Sequence, residues 1–340
     1  MKSPNVTIKD IAKELGISPS TVSRALKDHP DISKITKDQV NRLATEMNYR
    51  PNPIALSLRN RRSNVIGVVI PEIVHYFFSS VISGIEKVAN EHGFSVMVSQ
   101  SSEKYEKEVE VCQTFLHSII DGLLISVSKE TEEYEHLKIL DEEGIPIVFF
   151  DRIIEGFESD CVVIDDYKGA YQATEHLIIE GRRRIIHFAG PPNRLISKNR
   201  LKGYIDAHKN NGVVIDESLI IQCDEFINAI EETQRLIDNK VKFDAVFTVN
   251  DFTAAGVLKA LRANNIVVPK EISVVGFGND YIAEMVEPTL TTVSQPGFAM
   301  GEKAMQLLMD RMNQVIPQEY KKEVLQTQLV IRNSSKTRNK

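Results

Sequence analysis

Thr7-Ile8-Lys9-Asp10-Ile11-Ala12-Lys13-Glu14-Leu15-Gly16-Ile17-Ser18-Pro19-Ser20-Thr21-Val22-Ser23-Arg24-Ala25-Leu26 reads as helix, tight turn, helix. Thr7 and Asp10 have capping-box spacing, with Asp in place of the preferred Glu or Gln. Ile8, Ile11, Ala12 and Leu15 recur at helical spacing and make one apolar stripe. Gly16 comes next, where a left-handed cap needs no side chain. Ile17 plugs the turn, Ser18 caps the next helix, and Pro19 suits its first position. Val22, Ala25 and Leu26 then face inward, which leaves Ser20, Thr21 and Arg24 on the outer face. A short helix presenting small polar residues and an arginine fits a DNA major groove. Arg24 can donate two hydrogen bonds to a guanine edge, and the hydroxyls of Ser20 and Thr21 can touch bases or phosphates.

Asp28, Pro30 and Asp31 mark the next loop. Thr36 with Gln39 reads as another capping pair, and Val40, Leu43, Ala44 and Met47 as a third stripe. Three stripes close a small core, in a DNA reader or in an ordinary three-helix bundle. Pro51 ends the third helix, and Asn52-Pro53 is a start signal for a new one. This new helix is apolar, barely two turns long, and trailed by Arg59, Arg61 and Arg62. So short a helix is marginal alone and needs a partner subunit and a DNA backbone to fold against. Leu58 is placed to act as a wedge that unstacks a minor-groove base step. The alternative is a plain basic linker.

Charge is unevenly shared. Residues 1–62 hold twelve Lys or Arg against six Asp or Glu, about +6, whereas the remainder holds 29 against 41, about −12. A small basic reader joined to an acidic body gives that asymmetry. At 340 residues the chain exceeds one ordinary domain. Cys112, Cys161 and Cys223 are odd in number and far apart, so neither a zinc site nor a disulfide framework is expected. No apolar run suits a signal peptide or a membrane span, and a cytoplasmic protein without cofactor is expected.

Residues 6–62 resemble the DNA-binding region of the lactose-repressor/galactose-repressor family of bacterial transcription regulators. The resemblance lies in Val6-Thr7-Ile8-Lys9-Asp10-Ile11-Ala12, in Gly16-Ile17-Ser18-Pro19-Ser20-Thr21-Val22-Ser23-Arg24-Ala25-Leu26, and in Asn48-Tyr49-Arg50-Pro51-Asn52-Pro53-Ile54-Ala55. It implies a helix-turn-helix domain over 1–50 and a hinge helix over 51–62. It also implies that Thr7, Ser18, Pro19, Ser20, Thr21, Ser23 and Arg24 lie at the DNA, joined from the hinge helix by Asn52, Ala55, Leu58 and Arg59. Leu58 would be its intercalating lever.

From Ser63 the pattern changes. Apolar runs at 65–70, 94–98, 122–127, 146–150, 161–164, 185–189, 219–221, 245–249 and 272–277 are mostly separated by helical stretches. That is the signature of parallel α/β sheets covered on both faces, and nine runs suggest two sheets. Ligands of such sheets bind at the carboxyl ends of strands. Polar residues gather there: Asp151-Arg152, Asp165-Asp166, Asn250-Asp251 and Gly278-Asn279-Asp280, with Arg194, Lys198 and Arg200 after Gly190-Pro191-Pro192. His75, Tyr76, Phe77 and Phe78 come after the first strand. Aromatic faces with carboxylates, amides and arginines suit a sugar.

The family resemblance continues through Gly190-Pro191, Arg200 with Gly203-Tyr204, Asn250-Asp251, Ile272-Ser273-Val274-Val275-Gly276-Phe277 and Pro288-Thr289-Leu290-Thr291-Thr292-Val293. It implies a two-lobed α/β effector and dimerisation domain like periplasmic sugar-binding proteins, over 63–334. The first lobe would hold about 63–163 and 294–322, the second about 164–293 and 323–334, with 335–340 a polar tail. Position-wise matching implies Asp151, Arg200 and Asn250 as effector contacts, with Phe77 and Phe78 on the first lobe's wall. Arg152, Asp251 and Asn279 join them as strand-end neighbours. Family members commonly carry an acidic pair where Gly278 and Asn279 stand. That departure, with Arg152, Arg194, Lys198 and Arg200 nearby, points to an acidic sugar such as a uronate or phosphorylated sugar.

The expectation is a homodimeric repressor of carbohydrate genes that binds a palindromic double-stranded operator under control of a sugar effector, with no membrane association. The carboxyl end lacks a heptad repeat for a tetramerising helix. Two rivals stand: a regulator governed by a protein partner, and an α/β enzyme fused to a DNA-binding module. Against the second, the chain has no P-loop, G-x-G-x-x-G, H-E-x-x-H or G-x-S-x-G.

Overall fold

Three apolar stripes close the amino-terminal unit, as α1 (Ile8–Leu15), α2 (Pro19–Ala25) and α3 (Lys34–Glu46). The structure, a computed structural model, describes residues 6–49, 63–118, 120–313 and 319–336. The chain divides into two units, Met1–Ser63 and Asn64–Lys340. The expected hinge helix therefore lies outside the described residues. In the first unit Asp10 Oδ2 accepts from the Thr7 backbone N–H and hydroxyl at 2.8 and 2.7 Å, fixing the start of α1. Gly16 ends it at φ 62, and the Ile17 N–H returns to Ala12 O at 3.1 Å. Ser18 Oγ accepts from the Thr21 N–H at 3.1 Å and starts α2. Ile11, Val22 and Val40, one from each helix, are fully buried against one another. One cap differs from expectation. Ser33, rather than Thr36, receives the free N–H at the head of α3, from Thr36 itself at 3.2 Å. The extended backbone of Ser33 aims its hydroxyl at that donor, so the helix begins earlier than the Thr36–Gln39 spacing suggests.

The second unit holds two six-stranded sheets. The first runs β11-β5-β4-β3-β1-β2, from β1 (Val65–Ile70), β2 (Ser95–Gln100), β3 (Gly122–Ile125), β4 (Ile147–Phe150), β5 (Asp160–Ile164) and β11 (Lys322–Leu325). The second runs β12-β10-β9-β8-β6-β7, from β6 (Ile185–Ala189), β7 (Ile220–Gln222), β8 (Ala245–Thr248), β9 (Ser273–Gly278), β10 (Thr291–Ser294) and β12 (Gln328–Val330). All neighbours are parallel except β12, which runs against β10. Each apolar run anticipated from sequence overlaps a strand. The three others carry no such signal: β10 is Thr-rich yet buried, and β11 and β12 are half-exposed edge strands.

In both sheets the strand order reverses beside the first strand of the lobe, so each lobe opens a crevice at the same place. The crevices face each other because the chain crosses between lobes after β5, after β10 and between β11 and β12. The last crossover comes after Leu325, since Lys322–Leu325 pairs throughout with β5. A boundary at 322/323 would cut that strand. The expected polar tail, 335–340, is corrected at its first residue. Ser334 and Ser335 are fully buried in the second lobe. Ser334 Oγ donates to Val274 O at 2.6 Å and accepts from the Thr291 N–H at 2.8 Å, and Ser335 Oγ meets His176 Nε2 at 2.7 Å. A polar run with every group paired can sit in a core.

Helices cover both sheets: α4 (Tyr76–Glu91), α5 (Tyr105–His117), α6 (Glu135–Glu142), α7 (Asp166–Ile179), α8 (Leu195–Asn210), α9 (Phe226–Asp238), α10 (Asp251–Ala263), the one-turn α11 (Ile282–Met285) and α12 (Gly297–Met312). Among the described residues, no helix is long and apolar enough to cross a membrane. Packing between α4 and α12 depends on Gly84 and Gly301. A Cβ on Gly84 would overlap Phe298 O, and one on Gly301 would overlap Val81 O. Backbone cannot yield as a side chain does. Gly84→Ala and Gly301→Ala are each expected to lower stability by about 1–3 kcal/mol, read as a lower urea midpoint at unchanged slope. An unchanged midpoint would mean that the helices can part freely.

Candidate functional site

Two surfaces carry function-bearing residues, one in each unit. In the first, Ser20 and Arg24 are exposed on α2, Thr21 and Ser23 are half-buried, and Val22 and Ala25 anchor the opposite face. Ser18 Oγ is shared with Ser20 Oγ at 2.7 Å and Thr21 Oγ1 at 2.8 Å, and Pro19 occupies the first turn. The Thr7 hydroxyl already donates to Asp10. It retains only acceptor capacity, which a phosphate oxygen cannot use. Asn52, Ala55, Leu58 and Arg59 lie outside the described residues.

In the second unit the facing crevices form a cleft of about 760 Å³. Its walls are the loops after β1, β3, β6 and β8, at both reversal points, joined by those after β2, β4, β7 and β9. Phe77 and Phe78 line the first lobe; Phe226, Phe252 and Phe277 line the second. Asp151, Arg152, Arg200, Asn250 and Asp251 all reach the same cleft. Asn279 does not. Its Oδ1 accepts from Arg332 at 2.8 Å, on the far side of the loop, while Asp280 lines the cleft in its place. Its φ of 56 turns the side chain away. The carboxylate expected to be missing from this loop is therefore present, one residue later. Lys198 is also outside the cleft lining, paired with Glu155 at 3.3 Å.

Charge in the cleft runs opposite to the expectation of an acidic ligand. Eight carboxylates line it against five lysines and arginines, and each of those cations is engaged by protein. Arg152 makes a two-pronged contact to Glu103 at 2.8 and 3.0 Å. Lys104 meets Glu130 at 2.5 Å and Lys129 meets Asp224 at 2.7 Å. Arg194 donates to Lys129 O at 2.9 Å and Thr131 O at 2.7 Å. Arg200 donates to Asp166 at 2.8 Å and to Val249 O at 2.5 Å, with its guanidinium 3.7 Å from the centre of the Phe277 ring. Asn250 is partly engaged too: Oδ1 caps α10 through Thr253, and Nδ2 reaches Asp224 O.

The exception is Asp151. It is 8% exposed, and its carboxylate accepts no hydrogen bond among the described residues; Arg152 Nε stands 3.9 Å away. Burial pushes its carboxyl up to about 6, although Arg152 pulls it back. Asp251 is also pushed up to about 6 by burial, despite accepting from Thr292 at 2.5 Å and from the Asp280 N–H at 2.7 Å. Asp151 sits at φ 60, a conformation uncommon outside glycine. A buried carboxylate at a cleft wall, with no hydrogen bond from protein and in backbone of positive φ, is a candidate for a binding role.

The lobes touch along the rim. The Lys129–Asp224 pair and both Arg194 contacts cross it, Asn193 Nδ2 reaches Glu132 at 2.9 Å, and the rings of His75 and Phe252 meet edge to face at 5.2 Å. The loop carrying Lys129 to Glu132 is set by a buried cluster. Fully buried Glu108 accepts from the Ser128 N–H at 2.7 Å and the Thr131 hydroxyl at 2.9 Å, and meets His136 Nε2 at 3.0 Å. Sequence reasoning missed this rim, as well as Phe226, Phe252 and Glu103. Phe252 stands directly after Asn250-Asp251, so its place at a strand end was available as a signal. Glu103 sits in a loop with no motif.

Asp151 yields a signed expectation. Unfolded, it ionises near pH 4; folded, near 6. Its contribution to stability therefore falls as pH rises from about 4 to 6 and stays low above that. Asp151→Asn is expected to raise stability by roughly 1–3 kcal/mol at pH 7.5, with the gain shrinking toward pH 4. Thermal unfolding across pH checks this, and a variant no more stable at pH 7.5 would contradict it.

Known proteins share this architecture. Residues 7–52 match the family described as bacterial regulatory proteins, lacI family, and residues 174–335 match the periplasmic binding protein-like domain. The chain is 34% identical over 337 residues to the HTH-type transcriptional regulator DegA of Bacillus subtilis (strain 168), covering 98% of this chain and 99% of that protein. It is similar to the solved structure of the transcriptional regulator CelR–cellobiose complex, with TM-score 0.74 and 29% identity over 97% of this chain and 100% of that one. Its fold is also that of the lac repressor dimer bound to operator and the anti-inducer ONPF, with TM-score 0.84 and 24% identity over 97% and 99% of the two chains. The chain thus belongs to the lacI family of bacterial regulatory proteins, as a helix-turn-helix DNA-binding transcriptional regulator rather than an enzyme.

Proposed function

We propose that this protein is a homodimeric repressor that binds a palindromic operator and is controlled by a neutral carbohydrate held between the lobes. Two α2 helices enter successive major grooves, with Arg24 reading a base edge and Ser20 and Thr21 beside it. Residues 51–62 pair over the central minor groove, where Leu58 wedges a base step. The observation that carries the effector reading is the Asp151 carboxylate: buried, facing the cleft, and without a hydrogen bond. A ligand rich in hydroxyl donors satisfies it. Phe77, Phe226 and Phe252 supply apolar faces, and the leftover N–H groups of Arg200 and Asn250 supply donors. A uronate or sugar phosphate would instead add charge to a wall already carrying more carboxylates than cations. The CelR relative is described in complex with cellobiose, a neutral sugar.

Effector binding acts by favouring one lobe angle over another. The ligand must bind the operator-competent and operator-incompetent states unequally, or it shifts nothing. A thermal-shift screen with calorimetry is expected to find neutral sugars that bind, while uronates and sugar phosphates do not; anionic sugars binding alone would overturn the neutral reading. In fluorescence anisotropy, Arg24→Ala is expected to cost roughly 1–3 kcal/mol on a selected palindrome and to relax preference at one base. Equal weakening on every duplex would make Arg24 a phosphate contact.

A further inference from the structure

Beside the main cleft lies a second cavity of about 300 Å³ at the hinge. The two share four lining residues, Asp151, Arg152, Arg194 and Ile196. We propose that the effector is a carbohydrate of at least two rings, whose second ring occupies this hinge chamber and stacks on Tyr167. This rests on the reading of the main cleft as a carbohydrate site.

Three observations carry it. Asp151 borders both cavities, and its carboxylate has no hydrogen bond from protein. A ligand confined to the main cleft meets it from one side only, whereas one that threads past it can offer hydroxyls from both rings. Of the other shared residues, Arg152 and Arg194 are fixed by Glu103 and by the Lys129 and Thr131 carbonyls. Ile196, which lines both cavities, has no polar side-chain atom to tie it and can change rotamer between them. The chamber itself has carbohydrate chemistry. Tyr167 lines it, its hydroxyl donating to Asp206 at 3.1 Å and Lys202 Nζ standing over one face of its ring, 5.6 Å from the centre, which leaves the opposite face for a ligand. Asn199 adds an amide and Asp165 a carboxylate.

The position adds a consequence. The chamber is walled by the first crossover, Ile164-Asp165, by the end of β11 at Val324, and by the first turn of α8 in the second lobe. A second ring seated there touches both lobes at their pivot and fixes the angle between them. A single ring in the main cleft does not reach the pivot, so ligand length couples to lobe angle.

The test is titration calorimetry on the full-length protein with matched ladders of one, two and three rings. The ladders are the β-1,4 and α-1,4 gluco series, the β-1,4 manno and xylo series, and the α-1,6 galacto series. In at least one ladder, affinity is expected to rise about tenfold or more from one ring to two. Tyr167→Ala and, separately, Val324→Trp, which fills the chamber from the exposed edge strand, are expected to abolish that gain and leave the monosaccharide's affinity unchanged. Tyr167→Phe, which keeps the ring, is expected to retain it. A flat ladder, or a gain that survives both variants, overturns the proposal while leaving a single-ring effector intact. Silence across every ladder overturns the carbohydrate reading and this inference with it.

Discussion

A carboxylate buried at a cleft wall with no hydrogen bond from protein is costly, and the two-lobed domain holds one in Asp151. Asp151 comes after β4 in a left-handed turn, at the place where the strand order directs loops into the cleft. Its neighbours relieve it only in part: Arg152, 3.9 Å away, pulls its carboxyl down but is committed to Glu103, and Arg200 to Asp166. The wall thus offers Asp151 no hydrogen-bond donor among the described residues, while the nearby cations are engaged by other groups. In the proposed complex, a hydroxyl-bearing ligand relieves that imbalance. In the proposed mechanism, ligand binding and lobe closure are one event.

Transmission then depends on rigid parts. Helices α4 and α12 approach closely at Gly84 and Gly301, where an added Cβ would overlap the facing backbone. The loop carrying Lys129 is pinned by buried Glu108, Thr131 and His136, so the rim contacts to Asp224 and Arg194 form or break together. Domains built this way move as lobes about short crossovers rather than by gradual deformation. The proposed operator complex uses that motion to alter how two reading heads are spaced.

Much of this was legible in the sequence because its signals are local. The capping pair Thr7–Asp10, the left-handed Gly16 and the Ser18-Pro19 start specify α1 and α2 within a dozen residues. Buried parallel strands announce themselves as β-branched runs, and residues directly after them fall at strand ends, which placed Asp151, Arg200's neighbours and Asn250 at one cleft. Long-range pairing was not legible. Ser334 and Ser335 look like a solvated tail until Val274, Thr291 and His176 are seen to satisfy them. Arg152 and Arg200 look like free positive charge until Glu103 and Asp166 are seen to pair with them, and Arg194 looks like a free donor until the Thr131 carbonyl engages it. Asn279 and Asp280 are adjacent in sequence yet face opposite ways, a distinction set by the consecutive positive φ values of Gly278 and Asn279. Charge counted along a chain therefore misjudges a site whose cations are paired from distant segments.

The central claim, that an unsatisfied Asp151 drives recognition of a donor-rich ligand, is tested most directly by proton linkage. Calorimetry of the tightest-binding neutral sugar would be run at pH 6 in two buffers of different ionisation heat. Hydroxyl donors stabilise the charged carboxylate and lower its pKa from about 6. Binding is thus expected to release up to about half a proton, fading by pH 8. Proton uptake, or an enthalpy independent of buffer at pH 6, would contradict the claim.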